Sequence, residues 1–211
     1  ESPAYDKTIE PYPFDLEKAK ALLEEAGWTD SDGDGVRDKL VAGKKLKFEF
    51  RLFIYNSSPE YKAMADIFKE DLVKIGVVLN VTPLDWPIMQ KRMEDKDFEA
   101  FTGGWGLDWE PDPHQLWHSS QADAPKASNF ISFKNAEADE IIEAGRKTFD
   151  PDERVKLFHR FHKIMHEEQP YTFFSVPITV YYTSPRYQNF SVQKPRPHAL
   201  HRLGWIKETA K

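Results

Sequence analysis

The chain has 211 residues, and 29 lysines and arginines against 35 aspartates and glutamates give a formal net charge of −6 at pH 7. This acidic balance argues against a nucleic-acid-binding surface, which requires an excess of basic residues. The absence of cysteine excludes a disulfide framework, a thiolate zinc site and a cysteine nucleophile. No apolar run of about 18 residues occurs, so no membrane-spanning helix is predicted.

A short amphipathic helix is the first element that the sequence predicts. Asp15 is a typical N-cap, and apolar residues follow it at helical spacing. Gly27 is a typical residue for the position just beyond the end of a helix. We therefore expect a helix over residues 16–26.

A β-α-β unit is predicted next. Apolar residues alternate over 46–55, which is typical of a strand, and the apolar run 77–81 favours a second strand. Between them, Ser58 and the proline that follows it are typical of a helix N-terminus, and the apolar stripe of this helix ends at Gly76. Because a helix connects the two strands, we expect them to pair in parallel.

The rest of the chain continues the mixture of helices and strands. A short helix is expected over 86–93, a third strand over 98–102, and two further helices over 135–149 and 151–168. Residues 171–183 are aromatic and β-branched, which favours strands of the same sheet. The sequence therefore predicts an α/β fold.

An aspartate-rich segment follows the first helix and has the oxygen-rich spacing that calcium requires. Counted from Asp30, carboxylates occupy positions 1, 3, 5 and 9, and a glycine stands at position 6. Position 12 is Val41, where an EF-hand carries a bidentate glutamate, so a polar turn without metal is an open alternative. A calcium-dependent structural module is the corresponding function. The candidate ligands are Asp30, Asp32, Asp34, the carbonyl of Val36, and Asp38.

A second candidate site is the segment 103–113, in which glycines, tryptophans and acids alternate. Residues 94–112 carry seven carboxylates and one lysine, a net charge of −6. Glycines allow another backbone to approach closely, so the segment suits an extended peptide or a ligand with an ammonium group. Two alternatives are open: core tryptophans with solvated acids, or a glycoside-acting enzyme that uses two carboxylates. The carboxylates in question are Asp108, Glu110 and Asp112.

Three histidines, His159, His162 and His166, lie at helical spacing on one face of the predicted helix 151–168. Their spacing permits a transition-metal site. Because apolar residues fill the stripe beside them, a half-buried helix flank accounts for the same pattern without a ligand. The sequence holds no phosphate-binding loop, no nucleophile elbow and no dinucleotide fingerprint.

Several motifs in one order resemble the family 5 extracellular solute-binding proteins, the oligopeptide-, dipeptide- and nickel-binding receptors of ABC importers. These motifs lie at 12–28, 30–38, 104–108, 169–174 and 181–182, and span nearly the whole chain. The resemblance implies the C-terminal lobe of a type II periplasmic-binding-protein-like fold, with a mixed sheet flanked by helices. It implies that 1–211 form one lobe and that residues from about 185 to 211 cross back to an N-terminal lobe that this chain lacks.

The function that this resemblance implies is non-enzymatic. Such a protein captures a peptide or similar small solute in a cleft between its lobes and delivers it to a membrane permease. The expected location is periplasmic or extracytoplasmic, with or without a lipid anchor, and the signal peptide is expected to be absent from this fragment. No cofactor is required, the aspartates at 30–38 are a candidate site for calcium, and nucleic acid is not a partner.

The resemblance also implies roles for single residues. Asp108 would pair with the ammonium of a bound peptide, the backbone of Gly104 and Gly106 would hydrogen-bond it as an added strand, and aromatic and methionine side chains would line its pockets. Thr102 stands where some oligopeptide binders carry an arginine for the peptide carboxylate, so that contact is not expected. The predicted ligand-binding residues are Trp86, Met89, Gly104, Trp105, Gly106, Asp108 and Trp109.

Overall fold

The chain divides into a unit built on a parallel sheet and a unit built on two packed helices. The computed structural model describes residues 2–106, 112–176 and 180–191, with the backbone of 192, 199–200 and 205–206. We call residues 10–105 and 123–131 the sheet unit. We call residues 1–9, 106–122 and 132–211 the helical unit.

The sheet unit contains a parallel three-stranded sheet and an antiparallel hairpin. The three strands have the order β4-β3-β5, so β3 is central, and the hairpin is formed by β1 and β2. Its elements in chain order are α1 (Leu16–Glu25), β1 (Asp38–Val41), β2 (Lys44–Lys47), β3 (Glu49–Tyr55), α2 (Pro59–Val73), β4 (Val78–Leu84), α3 (Trp86–Glu94) and β5 (Ala100–Phe101).

The predicted parallel pair is confirmed, but its first strand is divided. β3 and β4 pair in parallel with Leu52 opposite Val81. Residues 44–47 pair instead with β1, and Phe48 separates the two strands by donating its N–H to the carbonyl of Arg37 at 2.7 Å. Because the alternation of apolar residues continues through this junction, the pattern alone does not reveal the division.

The core of the sheet unit lies between the sheet and α2. Leu52, Ile54, Ala65 and Leu79 are buried together, and Leu79 is fully enclosed. Partly buried hydrophobic residues surround this cluster: Phe50, Tyr61, Phe68, Leu72, Val81 and Ala100. Removal of these side chains from water is the main contribution that holds α2 on the sheet.

Local hydrogen bonds explain where the predicted helices begin. The side chain of Asp15 accepts the N–H of Lys18 at 2.9 Å, and the hydroxyl of Ser58 accepts the N–H of Tyr61 at 3.3 Å. Each bond satisfies a backbone donor that has no partner inside its helix. The predicted N-caps are therefore confirmed.

A buried arginine connects three segments of the sheet unit. The guanidinium of Arg37 donates to the carbonyls of Ile75 at 2.8 Å and Trp28 at 2.7 Å, and to the carboxylate of Glu24 at 3.1 Å. Gly76 makes room for it, since a Cβ at this position would lie 2.9 Å from Cγ of the arginine. The arginine therefore fixes the end of α1 and the turn after α2 to the start of β1.

The helical unit is built on the contact between α5 and α6. Ile141 and Ile142 of α5 and Phe158 of α6 are buried. Gly145 permits this close packing, because a Cβ there would lie 3.1 Å from the ring of Phe158. The elements are α4 (His114–Trp117), a 3-10 turn (Ser119–Gln121), α5 (Ala136–Lys147) and α6 (Pro151–Glu168), followed by the antiparallel pairs β6 (Tyr187–Gln188) with β9 (Trp205–Ile206) and β7 (Ser191–Val192) with β8 (Ala199–Leu200).

The strands expected over 171–183 are not formed in the described parts of this segment, 171–176 and 180–183, so that prediction is wrong. Phe173 and Phe174 are more than half exposed. Aromatic and β-branched composition shows that a segment fits a pleated surface, but a strand also needs a partner edge. Among the described residues, no helix is both long and apolar enough to cross a membrane.

Candidate ligand-binding site

The candidate site lies at one edge of the parallel sheet. β3, β4 and β5 end at Tyr55, Leu84 and Phe101, and parallel strands place their carboxyl ends at the same edge. Trp86 follows β4, and Trp105 follows β5. In open α/β sheets, ligands bind outside the carboxyl ends of the strands. The fold therefore brings two of the predicted ligand-binding tryptophans to the edge where binding is expected.

Trp86 is held at this edge with about half of its surface available. It is 48% exposed, and its ring meets the ring of Tyr55 edge-on, with 6.1 Å between centroids. The loop before it is fixed by Asn56, whose amide nitrogen donates to the carboxylate of Asp85 at 2.6 Å and whose backbone N–H donates to the carbonyl of Leu84 at 3.0 Å. These contacts therefore fix the position of Trp86 at the edge of the sheet.

Trp105 forms a second apolar surface beside exposed backbone. The N–H of Thr102 still donates to the carbonyl of Phe53 at 2.9 Å, which continues the pairing of β5 by one residue. Trp105 is 42% exposed, and its ring stacks on Phe130 with centroids 5.9 Å apart and an interplanar angle of 14°. A tryptophan supported from behind in this way presents a rigid flat face.

The predicted glycines beside Trp105 are exposed. A Cβ on Gly104 would lie 3.6 Å from the hydroxyl of Tyr61, which is an ordinary contact. Internal packing therefore does not require a glycine at this position. Its exposed backbone is compatible with the close approach of a second chain, and Gly106 is exposed in the same way.

Other predicted residues of the site are placed differently or fall outside the described residues. Met89 is only 1% exposed, so its side chain packs within the sheet unit. Asp108, Trp109 and Glu110 lie outside the described residues. Asp112 forms an ion pair with Arg146 of α5 at 3.4 Å. The roles predicted for these residues stay predictions.

In the aspartate-rich segment before β1, two lysines pair with three of the four aspartates. Asp30, Asp32 and Asp38 place carboxylate oxygens within 4.8 Å of one another. The ammonium of Lys45 lies 2.6 Å from Asp32 and 3.1 Å from Asp38, while Asp34 pairs with Lys47. Calcium stays a prediction at this loop, and the ion would have to compete with the ammonium of Lys45. A calcium-dependent rise in the unfolding midpoint that a chelator reverses would support it.

Asp38 should make the stability of the chain depend on pH. Burial of its carboxyl raises the pKa, but hydrogen bonds from Ser31 and Lys45 outweigh this and hold the pKa below the usual 3.8. The pKa of this carboxyl is therefore higher in the unfolded chain than in the folded one. The stabilisation from the charged carboxylate is complete above the unfolded-state pKa of 3.8, and it is lost as the pH falls through the lower pKa of the folded state. In urea unfolding at several acidic pH values, Asp38→Asn should flatten this decline.

A matched control for this prediction is Glu25→Gln, which changes an exposed acid at the end of α1. This variant should keep the wild-type dependence of stability on pH. A decline of equal slope in the wild type and in Asp38→Asn would contradict the assignment of the effect to Asp38.

Two of the histidines of α6, His159 and His162, make contacts within the helical unit. Nδ1 of His162 accepts the N–H of Asp6 at 3.2 Å, and its ring lies 5.0 Å from the ring of Tyr5. Nε2 of His159 lies 3.0 Å from the carbonyl oxygen of Pro3. In the described part of the chain, these histidines are not among the groups whose donor atoms converge as metal ligands do. The interpretation as a half-buried helix flank is therefore favoured.

A different histidine cluster joins α4 to α5, and the sequence analysis missed it. The rings of His114 and His118 are stacked with centroids 4.5 Å apart. Their Nε2 atoms lie 4.0 and 3.8 Å from the carboxylate of Glu143. Burial, followed by the neighbouring His118 and Arg146, lowers the pKa of His114 below its ordinary value of 6.5. The signal in the sequence was the pair of histidines four residues apart, directly after the acidic segment.

Comparison with known proteins identifies the class of this fold as that of bacterial solute-binding proteins. A solved structure of the oligopeptide-binding protein AppA from Bacillus subtilis, in complex with a nonapeptide, superposes with a TM-score of 0.78. It is 29% identical, and the match covers 98% of this chain and 41% of that one. The predicted α/β fold of the periplasmic-binding-protein type is therefore confirmed.

The family follows from the sequence comparisons. Residues 1–127 match the family described as bacterial extracellular solute-binding proteins, family 5 Middle, and the chain belongs to this family. AppA from Bacillus subtilis is 34% identical over 82% of this chain and 31% of its own length. Heme-binding protein A from Haemophilus influenzae is 30% identical over 91% of this chain and 33% of its own. The chain thus spans about a third of the length of these relatives.

Proposed function

We propose that this chain is part of the substrate-binding component of an ABC import system and that the whole protein captures a peptide or a similar small solute. The observation that supports this most directly is the pair of half-exposed tryptophans, Trp86 and Trp105, at the carboxyl edge of the parallel sheet. The two relatives named above are an oligopeptide-binding and a heme-binding protein. The whole protein would act outside the cytoplasm and deliver its solute to a membrane permease.

The geometry of the described residues favours an extended peptide. β5 is only two residues long, and the exposed backbone that follows it carries glycines. A peptide laid beside this backbone would gain main-chain hydrogen bonds in the manner of an added strand. The flat faces of Trp86 and Trp105 would contact its side chains, while Asp108, which follows β5 in the sequence, would attract its ammonium group.

Asp108 is the residue that we assign to the peptide ammonium. A charge-assisted hydrogen bond of this kind contributes about 1.5–3 kcal/mol. In the full-length protein, Asp108→Asn should therefore weaken peptide binding about tenfold or more, as measured by isothermal titration calorimetry. Acetylation of the peptide N-terminus should weaken binding to the wild type by a similar factor. It should weaken binding to Asp108→Asn little further.

Asp112→Asn is the matched control, because Asp112 lies four residues further on and is paired with Arg146. It should bind free peptide as the wild type does. If acetylated and free peptides bind the wild type equally well, Asp108 does not hold the ammonium. If no peptide binds while another solute does, the solute class is wrong and the receptor function stands.

A further inference from the structure

We propose that His114, His118 and Glu143 form a binding site for a divalent transition metal that prefers imidazole ligands, with Zn²⁺ as the working example. The three donor atoms come from two elements, α4 and α5, and lie within 4.8 Å of one another. Two imidazoles and a carboxylate are a donor set that suits zinc and its neighbours in the first transition series. The inference is independent of the proposed transport function.

The separations of the donor atoms are close to what a bound metal requires. The Nε2 atoms of His114 and His118 lie 4.0 and 3.8 Å from Oε1 of Glu143. Tetrahedral zinc with bonds of about 2.0–2.1 Å places neighbouring ligand atoms about 3.3 Å apart. The carboxylate oxygen therefore has to approach the rings of His114 and His118 by about 0.7 and 0.5 Å, which small side-chain rotations provide.

A second set of contacts orients His118 for this role. Its Nδ1 lies 2.9 Å from the hydroxyl of Ser120 and 3.1 Å from the N–H of the same residue. Because Nδ1 accepts the N–H of Ser120, the neutral ring carries its proton on Nε2, so a metal bound at Nε2 requires that proton to move to Nδ1, which then donates to the hydroxyl of Ser120. Ligating histidines commonly donate their second ring nitrogen in this manner, which fixes the tautomer and the ring orientation. Asp139, 4.0 Å from the same Nδ1, adds a negative charge on that side.

The surroundings are accessible and their charges are nearly balanced. The side chains of His114, His118 and Glu143 are 23%, 16% and 41% exposed, so an ion reaches them from solvent without opening the core. Two cations lie close by, since Lys147 pairs with the other oxygen of Glu143 at 3.0 Å and Arg146 pairs with Asp112. The carboxylates of Glu143, Asp112 and Asp139 outnumber these two cations, so a metal ion would add its positive charge to a slightly acidic site. A solvent molecule would complete the coordination, because three protein ligands leave one tetrahedral position open.

The consequence of occupancy is a cross-link between α4 and α5. α4 begins three residues after the segment 107–111, which carries Asp108. A metal that binds the folded chain and not the unfolded one raises the apparent stability of the fold. Occupancy would therefore fix the chain directly after the segment to which we assign the peptide contact.

The test is a titration of the 211-residue chain with Zn²⁺, followed by isothermal titration calorimetry, and with Co²⁺, followed by its visible absorption. We expect one saturable site with micromolar affinity and a Co²⁺ spectrum typical of tetrahedral nitrogen and oxygen ligation. Glu143→Gln and His118→Gln should each weaken binding by about tenfold or more. Zn²⁺ should also raise the unfolding midpoint of the wild type and not that of these variants.

The matched control is His159→Gln, which removes a histidine of α6 outside the cluster and should leave metal affinity unchanged. Because His118 also accepts a hydrogen bond from Ser120, its variant needs a circular dichroism spectrum to show that it is folded. If His118→Gln does not fold, Glu143→Gln tests the proposal on its own. Weak, unsaturable binding, or equal affinity in the wild type and Glu143→Gln, would overturn the proposal.

Discussion

Arg37→Met is expected to lower the free energy of unfolding of the chain by about 2–4 kcal/mol. The substitution keeps most of the apolar stem but removes the donors that serve the carbonyls of Trp28 and Ile75. These bonds are partly buried, a carbonyl left without a donor away from water costs about 1–3 kcal/mol, and the bond to Glu24 is lost as well. Urea unfolding monitored by circular dichroism measures the change.

Arg160→Met is the control for this effect, because it removes an arginine whose ion pair with Glu137 is exposed. Exposed pairs contribute about 0–1 kcal/mol. If the two variants lose the same stability, the partly buried hydrogen bonds of Arg37 do not account for the effect that we assign to them.

Leu79→Ala is expected to be at least as severe, with a loss of about 2–5 kcal/mol in the same measurement. Leu79 has no exposed surface and lies within the cluster that joins β3, β4 and α2. The truncation removes buried apolar atoms and leaves a cavity that close-packed neighbours fill only in part.

Ile67→Ala provides the comparison for Leu79. Ile67 belongs to α2 but is 64% exposed, so its truncation should change stability by no more than about 0.5 kcal/mol. A small loss for Leu79→Ala would mean that the site collapses around the missing side chain or that the core lies elsewhere.

Local signals in the sequence predicted most of the sheet unit. Caps such as Asp15 and Ser58 act through bonds within three residues, and the β-α-β unit follows from period and connection alone. The predictions failed where long-range partners decide the structure. The division at Phe48 depends on the bond to Arg37, and residues 171–183 lack a partner strand in their described parts despite suitable composition.

The candidate site could be predicted only as a set of residue types. The motif around Trp105 indicated an exposed, glycine-rich edge, which the structure contains. The burial of Met89 was not predictable, because a methionine on a short helix is equally compatible with a place in the hydrophobic core and with a place in the wall of a ligand pocket. Glu143 lies 25 residues beyond His118, and no local spacing links it to the histidines before the helices pack.

The way the chain crosses between its two units bears on how the protein is made. The chain passes from one unit to the other at four places. Residues 106–122 belong to the helical unit, and residues 123–131 belong again to the sheet unit. Phe130, from that short return, supplies the ring on which Trp105 stacks. During synthesis the sheet unit therefore cannot reach its final form until this segment has left the ribosome, and no single cut of the gene separates the units into two complete halves.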